Sequence, residues 1–163
     1  MELWGFVACV KGIRSMRVLL LSTSYNSLTQ HAHVELVRLG HDVSIELFIS
    51  DDQVRKGIEL YQPDLILCPM LTKVIPPDVW RKTPCIIIHP GVRGDRGPSS
   101  LDWAILNQEP VWGVTAVQAA VEMDSGPIWA SFQFPMRPAS KSSLYRDEAT
   151  QAAIKVIRTV VKR

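Results

Sequence analysis

Residues 85–100 read Cys-Ile-Ile-Ile-His-Pro-Gly-Val-Arg-Gly-Asp-Arg-Gly-Pro-Ser-Ser, and the opening of this stretch decides the fold class. Cys85 to Ile88 is a short apolar run that ends at Gly and Pro, which predicts a buried strand rather than a helix. The strand delivers His89 directly into a glycine- and proline-rich loop. Strands of parallel α/β sheets turn their C-terminal ends toward the ligand crevice, and an imidazole released there is suited to proton chemistry near neutral pH. Taken alone, a histidine in this position serves as a structural hydrogen-bonding group as readily as a catalytic one.

Around this strand, apolar β-branched runs alternate with helical periodicity, the pattern of βαβ units. Val18 to Ser22 predicts a first strand, and Ser27 is the expected N-cap of a helix with Leu28, Ala32, Leu36 and Leu39 on one face and Gly40 just past its end. Val43 to Phe48 alternates as a second strand. Ser50 or Asp51 can cap a helix through Val54, Ile58 and Tyr61, which Pro63 ends. Asp64 to Cys68 is a third strand and Cys85 to His89 a fourth. Ser99 or Ser100 caps a helix over Leu101 to Leu106. Trp112 to Ala120 and Ile128 to Phe134 form a final strand pair joined by a tight turn at Asp124-Ser125-Gly126, and Ser143 to Val161 is an amphipathic closing helix. The expected fold is α/β: a Rossmann-like, open, mainly parallel sheet with helices on both faces.

Length and composition agree with one domain. The 163 residues are 47% hydrophobic and 21% charged, with a net charge of +2, too small to argue for nucleic acid. No apolar stretch approaches the ~20 residues that span a bilayer. Cys9, Cys68 and Cys85 are odd in number and lack metal-ligand spacing, so they are expected as reduced thiols of a cytoplasmic protein. His31 and His33 lie at i and i+2 of a helix and do not face each other, and no metal site is expected. Residues 1–15 precede the natural start of the first strand at Met16 and are expected to be a loose extension, with the domain covering 16–163.

Five further segments fall in a telling order: His89-Pro90, Arg96-Gly97-Pro98, Trp103-Ala104-Ile105-Leu106-Asn107, Trp112-Gly113-Val114-Thr115 and Met123-Asp124-Ser125-Gly126-Pro127-Ile128. Over most of residues 16–135 the chain resembles the 10-formyltetrahydrofolate-dependent formyltransferases. That family carries a histidine after its fourth strand, an Arg-Gly loop, a Gly-Val-Thr strand and a Leu-Asp-Thr-Gly turn. The run Gly94 to Ile105, with Asn26-Ser27-Leu28-Thr29-Gln30, is more specific and is similar to the N-terminal module of hydrogenase maturation proteins of the HypX type.

The resemblance implies 10-formyltetrahydrofolate as formyl donor and coenzyme A as acceptor, in the synthesis of carbon monoxide for a nickel–iron hydrogenase. It also implies a crotonase-like domain as partner, beyond the residues read here. His89 and Asp124 take the catalytic positions. Moving a formyl group creates an oxyanion and calls for a proton on the leaving nitrogen; an imidazole can serve either need and a carboxylate can orient it. Without the resemblance, Asp124 reads as a turn residue bonding its own backbone. Leu71, Thr72 and Lys73 match the loop that holds the pterin, with Ala119, Ala120 and Val121 as the opposite wall. Ser24 and Asn26 are expected on the acceptor side, and Arg93 and Arg96 as clamps for an anionic acceptor or the folate tail. Asp102 and Trp103 are expected to pack and cap their helix.

One position departs from the family. Ordinary formyltransferases carry Asn two residues before the histidine, and here Ile87 stands in its place. The oxyanion is then left to His89, backbone N–H groups or water. Two other readings therefore stay open: a non-catalytic folate-binding or interaction module, and a formyltransferase for another small acceptor such as an amino sugar nucleotide or glycinamide ribonucleotide.

Overall fold

Two-sided strands build this domain. A computed structural model describes residues 14–163, so the expected N-terminal extension, and Cys9 with it, falls almost wholly outside the described residues. In chain order the elements are β1 (Arg17–Ser22), α1 (Ser27–Arg38), β2 (Asp42–Leu47), α2 (Asp51–Tyr61), β3 (Leu65–Cys68), α3 (Pro77–Trp80), β4 (Cys85–His89), α4 (Ser100–Leu106), β5 (Val111–Gln118), β6 (Ile128–Pro135), α5 (Lys141–Leu144), a π-helical turn (Tyr145–Ala149) and α6 (Thr150–Val160). The sheet order is β2-β1-β3-β4-β5-β6. The first four strands pair in parallel, and β5 and β6 add antiparallel. This is the expected α/β architecture.

Side-chain alternation along the inner strands splits the core in two. Val18, Leu20, Leu65, Leu67, Ile86 and Ile88 join Leu28, Ala32 and Leu36 of α1 and Ala152, Val156 and Ile157 of α6. Leu19, Leu21, Ile66, Cys68 and Cys85 face the other way, against Val54 of α2 and Val79 of α3. Each fully buried Leu or Ile contributes roughly 1.5–3 kcal/mol by leaving water. A strand covered on both faces must be apolar at every position, which is why β3 and β4 read as unbroken hydrophobic runs.

Local chemistry corrects several boundaries. Asn26, not Ser27, caps α1: its side-chain oxygen accepts from the N–H of Thr29 at 3.0 Å. Gly40 lies just past the helix with φ +88°, a left-handed conformation that glycine adopts without a side-chain clash. Ser50 caps α2 as expected. α3 is an unforeseen single turn that begins at Pro77. Neither Ser99 nor Ser100 caps α4 through its side chain. Ser140 caps the closing helix, ahead of the expected Ser143, and a π turn interrupts it, with Thr150 Oγ1 donating to the carbonyl of Tyr145 at 2.8 Å. The expected tight turn after β5 is instead a longer loop over 119–127.

Candidate active site

His89 ends β4 with its ring buried, where the parallel strands give way to the antiparallel pair. Both ring nitrogens meet carboxylates. Nε2 stands 2.7 Å from Asp95 Oδ2, and Nδ1 stands 3.4 Å from Asp124 Oδ2. Ser100 Oγ lies 3.3 Å from Nε2 and donates to the carbonyl of Gly97 at 3.3 Å, so its hydroxyl serves this loop and not the end of α4. Asp124 Oδ2 also accepts from the N–H of Gly97 at 3.0 Å, so the 119–127 loop is tied to the loop after β4. That loop is held down from behind: Trp112 Nε1 donates to the carbonyl of Pro90 and Thr115 Oγ1 to that of Gly91. Ser99 and Asp124 both sit in the left-handed region, at φ +64° and +52°. Non-glycine residues held there cost energy, and such strain clusters at functional sites.

A cavity of about 770 Å³ opens beside the pair, of a size that takes a drug-sized ligand. Its wall includes His89, Asp124, Asn26, Leu71, Thr72 and Lys73 among the expected residues, together with Ile87. Lys73 Nζ donates to the carbonyl of Ile49 at 2.7 Å and lies over the Phe48 ring. Asn26 Nδ2 faces the Tyr145 hydroxyl at 3.3 Å, bridging α1 to the π turn.

Other expected residues lie elsewhere. Ala119 to Val121 do not line the cavity; Ala119 donates its N–H to the carbonyl of Cys85 and packs in the α2-side core, while Val121 points to solvent. Val114, Met123 and Asp124 form the wall on that side. Ser24 is exposed and outside the cavity. Arg96 pairs with Glu122 at 3.6 Å, and Arg93 lines a second groove beside β6 and α6 with Lys155. Asp102 does line the cavity, where it pairs with Lys141 of α5 at 2.6 Å rather than capping α4, and Trp103 is largely exposed instead of packed. Among the described residues, no group of three or more His, Cys, Asp or Glu side chains is placed to hold a metal ion, and no helix is long and apolar enough to cross a membrane.

The formyl transferase family model matches residues 49–161, more than half of the chain. The chain belongs to the formyl transferase family. Among its relatives, hydrogenase maturation factor HoxX from Bradyrhizobium diazoefficiens is 53% identical over 146 residues, covering 90% of this chain and 26% of HoxX. A methionyl-tRNA formyltransferase from Helicobacter acinonychis is 35% identical over 83 residues, covering 50% of this chain and 26% of that protein. A crystal structure of HypX from Aquifex aeolicus in complex with tetrahydrofolic acid superposes with a TM-score of 0.90 at 46% identity, over 91% of this chain and 26% of that one. The chain thus spans about a quarter of the length of each of these relatives.

As a formyl transferase domain, the site has features that sequence reading did not reach. Asp95 is the nearer carboxylate to His89, and Ser100, Lys141, Tyr145 and Arg146 shape or line the site. For Asp95 a signal existed: an acid in a glycine-rich loop shortly after the histidine. For Tyr145 and Arg146 none did, because a π turn has no sequence mark that distinguishes it from the α-helix around it. Ile87 contributes an apolar surface to the cavity, so no side-chain amide is present there to bond an oxyanion.

Proposed function

We propose that this domain transfers the formyl group of 10-formyltetrahydrofolate to the thiol of coenzyme A, and that the product feeds carbon monoxide synthesis for a nickel–iron hydrogenase in the cytoplasm. The observation that carries the reading is the His89–Asp124 pair, 3.4 Å apart on the wall of one large cavity. The likeness to HoxX and to tetrahydrofolate-bound HypX supports the donor class. In the same reading, a crotonase-like domain of a longer protein uses the product.

The donor supplies a formyl carbon bound to N10. In the transfer the thiol gives up its proton, a C–S bond forms, the C–N10 bond breaks, and N10 takes up a proton. His89 is the group to carry that proton between sulfur and nitrogen. Asp124 and Asp95 stabilise the ring while it holds the extra charge. Leu71 and Ile87 offer apolar surface to a flat heterocycle, and Lys73 and Arg146 put positive charge on the cavity wall, where an anionic acceptor or folate tail is attracted.

The test is incubation with 10-formyltetrahydrofolate and coenzyme A, with the formyl thioester detected by mass spectrometry. Thioester formation supports the reading. Folate binding without transfer to any acceptor makes the domain a folate-binding module, and transfer to an amine in preference to the thiol makes it a formyltransferase for another acceptor.

A further inference from the structure

We infer that Asp95 is the residue that positions His89, setting the ring so that its Nε2 carries the proton and Nδ1 is the working nitrogen, while Asp124 is left to face the substrate. The assignment reverses the sequence-based expectation, in which Asp124 orients the ring. Its catalytic consequence rests on the formyl-transfer reading, but the state of the ring can be measured without it.

Geometry separates the two carboxylates. Asp95 Oδ2 is at ordinary hydrogen-bond distance from Nε2, 2.7 Å, whereas Asp124 Oδ2 is 3.4 Å from Nδ1 and already accepts from the N–H of Gly97. His89 and Asp124 line the cavity and Asp95 does not, so Asp95 bonds the imidazole from outside the substrate space. An ionised carboxylate only accepts hydrogen bonds, and the partner of one ring nitrogen decides which nitrogen of a neutral imidazole keeps the proton. Ser100 Oγ, 3.3 Å from the same nitrogen, donates its own proton to the carbonyl of Gly97 and so faces Nε2 as an acceptor as well; with Nε2 carrying the proton toward Asp95, the lone pair falls on Nδ1, beside Asp124. Nδ1 can then take the proton of the attacking thiol and return it to N10 as the C–N10 bond breaks, which leaves the ring as it began.

Two features of the loop show that the contact is built in. Asp95 is flanked in sequence by Arg96 and, two residues back, by Arg93, yet Arg96 pairs with Glu122 and Arg93 lies in the groove beside β6 and α6. Among the described residues, His89 is the one side chain that the Asp95 carboxylate bonds or pairs with. Gly91, in turn, leaves the space for the pair: a β-carbon there would collide with both Asp95 Oδ2 and His89 Nε2. The glycine is required by a close approach and not by its backbone angle.

The experiment is long-range 1H–15N NMR of the histidine-labelled chain, recorded with the His89 ring neutral, alongside transfer assays. In the wild type the proton is expected on Nε2. In Asp95→Asn the side-chain amide can donate to Nε2 instead, so the proton moves to Nδ1, and transfer falls by about 100-fold or more while tetrahydrofolate affinity changes less than about threefold. Asp95→Glu restores the wild-type nitrogen pattern and at least part of the rate. Gly91→Ala, which keeps the carboxylate but forces the pair apart, loses the wild-type pattern as well. A wild-type ring with its proton on Nδ1, or an Asp95→Asn ring with an unchanged pattern, overturns the inference. If the wild type passes formyl to no acceptor, the functional reading fails while the spectra still decide the role of Asp95.

Discussion

Arg158 Nε of α6 donates to Glu35 Oε1 of α1 at 2.6 Å, although 123 residues separate them in the chain. Glu35 is buried and Arg158 partly exposed, and Arg38 adds a second contact at 3.2 Å. The pair ties the closing helix to the first one across the same face of the sheet, the face whose core lies beneath the cavity. The hydrogen bond from Arg158 holds the Glu35 carboxyl below its ordinary value of 4.5, against the opposing effect of burial. A lowered value in the folded state means that the stabilisation is complete above pH 4.5 and is lost as pH falls through the folded value. Arg158→Ala is therefore expected to cost about 1–2 kcal/mol near pH 7, and the gap to wild type should close in acid. Urea unfolding of both proteins across that range checks it.

His41 carries a second acid sensitivity. It is buried, its Nδ1 accepts from the N–H of Met16 at 3.3 Å, and its Nε2 has no partner among the described residues. Burial lowers its pKa from 6.5, so the unfolded chain takes up a proton that the folded chain refuses. Stability is then full above pH 6.5 and declines below it. His41→Gln, which retains an acceptor but does not titrate, should flatten the melting temperature between about pH 7 and pH 5.

At the site itself, His89→Ala and Asp124→Asn are each expected to lower formyl transfer by at least ~100-fold. Circular dichroism should report an unchanged fold. Near-normal turnover in both variants would remove the pair from the reaction.

Gly126 follows Asp124 by two residues in the same loop and packs against the end of β5. A β-carbon at this position would collide with the carbonyl oxygen of Gln118, a backbone atom that cannot swing aside. Gly126→Ala should cost about 1–3 kcal/mol through overpacking, lower the melting temperature and displace Asp124. Thermal denaturation and a transfer assay on the same sample test both effects.

Leu71 tests the donor side. It lines the cavity and packs partly against the α2-side core, so Leu71→Asp replaces an apolar contact surface for the face of the folate ring with a charge. Tetrahydrofolate affinity, measured by calorimetry, should fall by roughly tenfold or more.

Much of this molecule was legible before any fold was seen. The unbroken runs at β3 and β4 announced strands covered on both sides, Pro63 marked the end of α2 and Gly40 the end of α1, because these signals act within a few residues of themselves. His89 could be placed for the same reason: it is the last residue of a strand. What the chain alone left open was the direction of side chains in loops. Asp95 against Nε2, Asp124 against Nδ1, Arg93 in another groove and Ala119 in the core all depend on where two loops meet after β4 and β5 have paired. Left-handed backbone at Ser99 and Asp124, and a π turn inside a helix, run against local preference and hold only because the packing around them is already complete. Periodicity and punctuation thus determined the architecture, and long-range packing decided which carboxylate reaches which nitrogen.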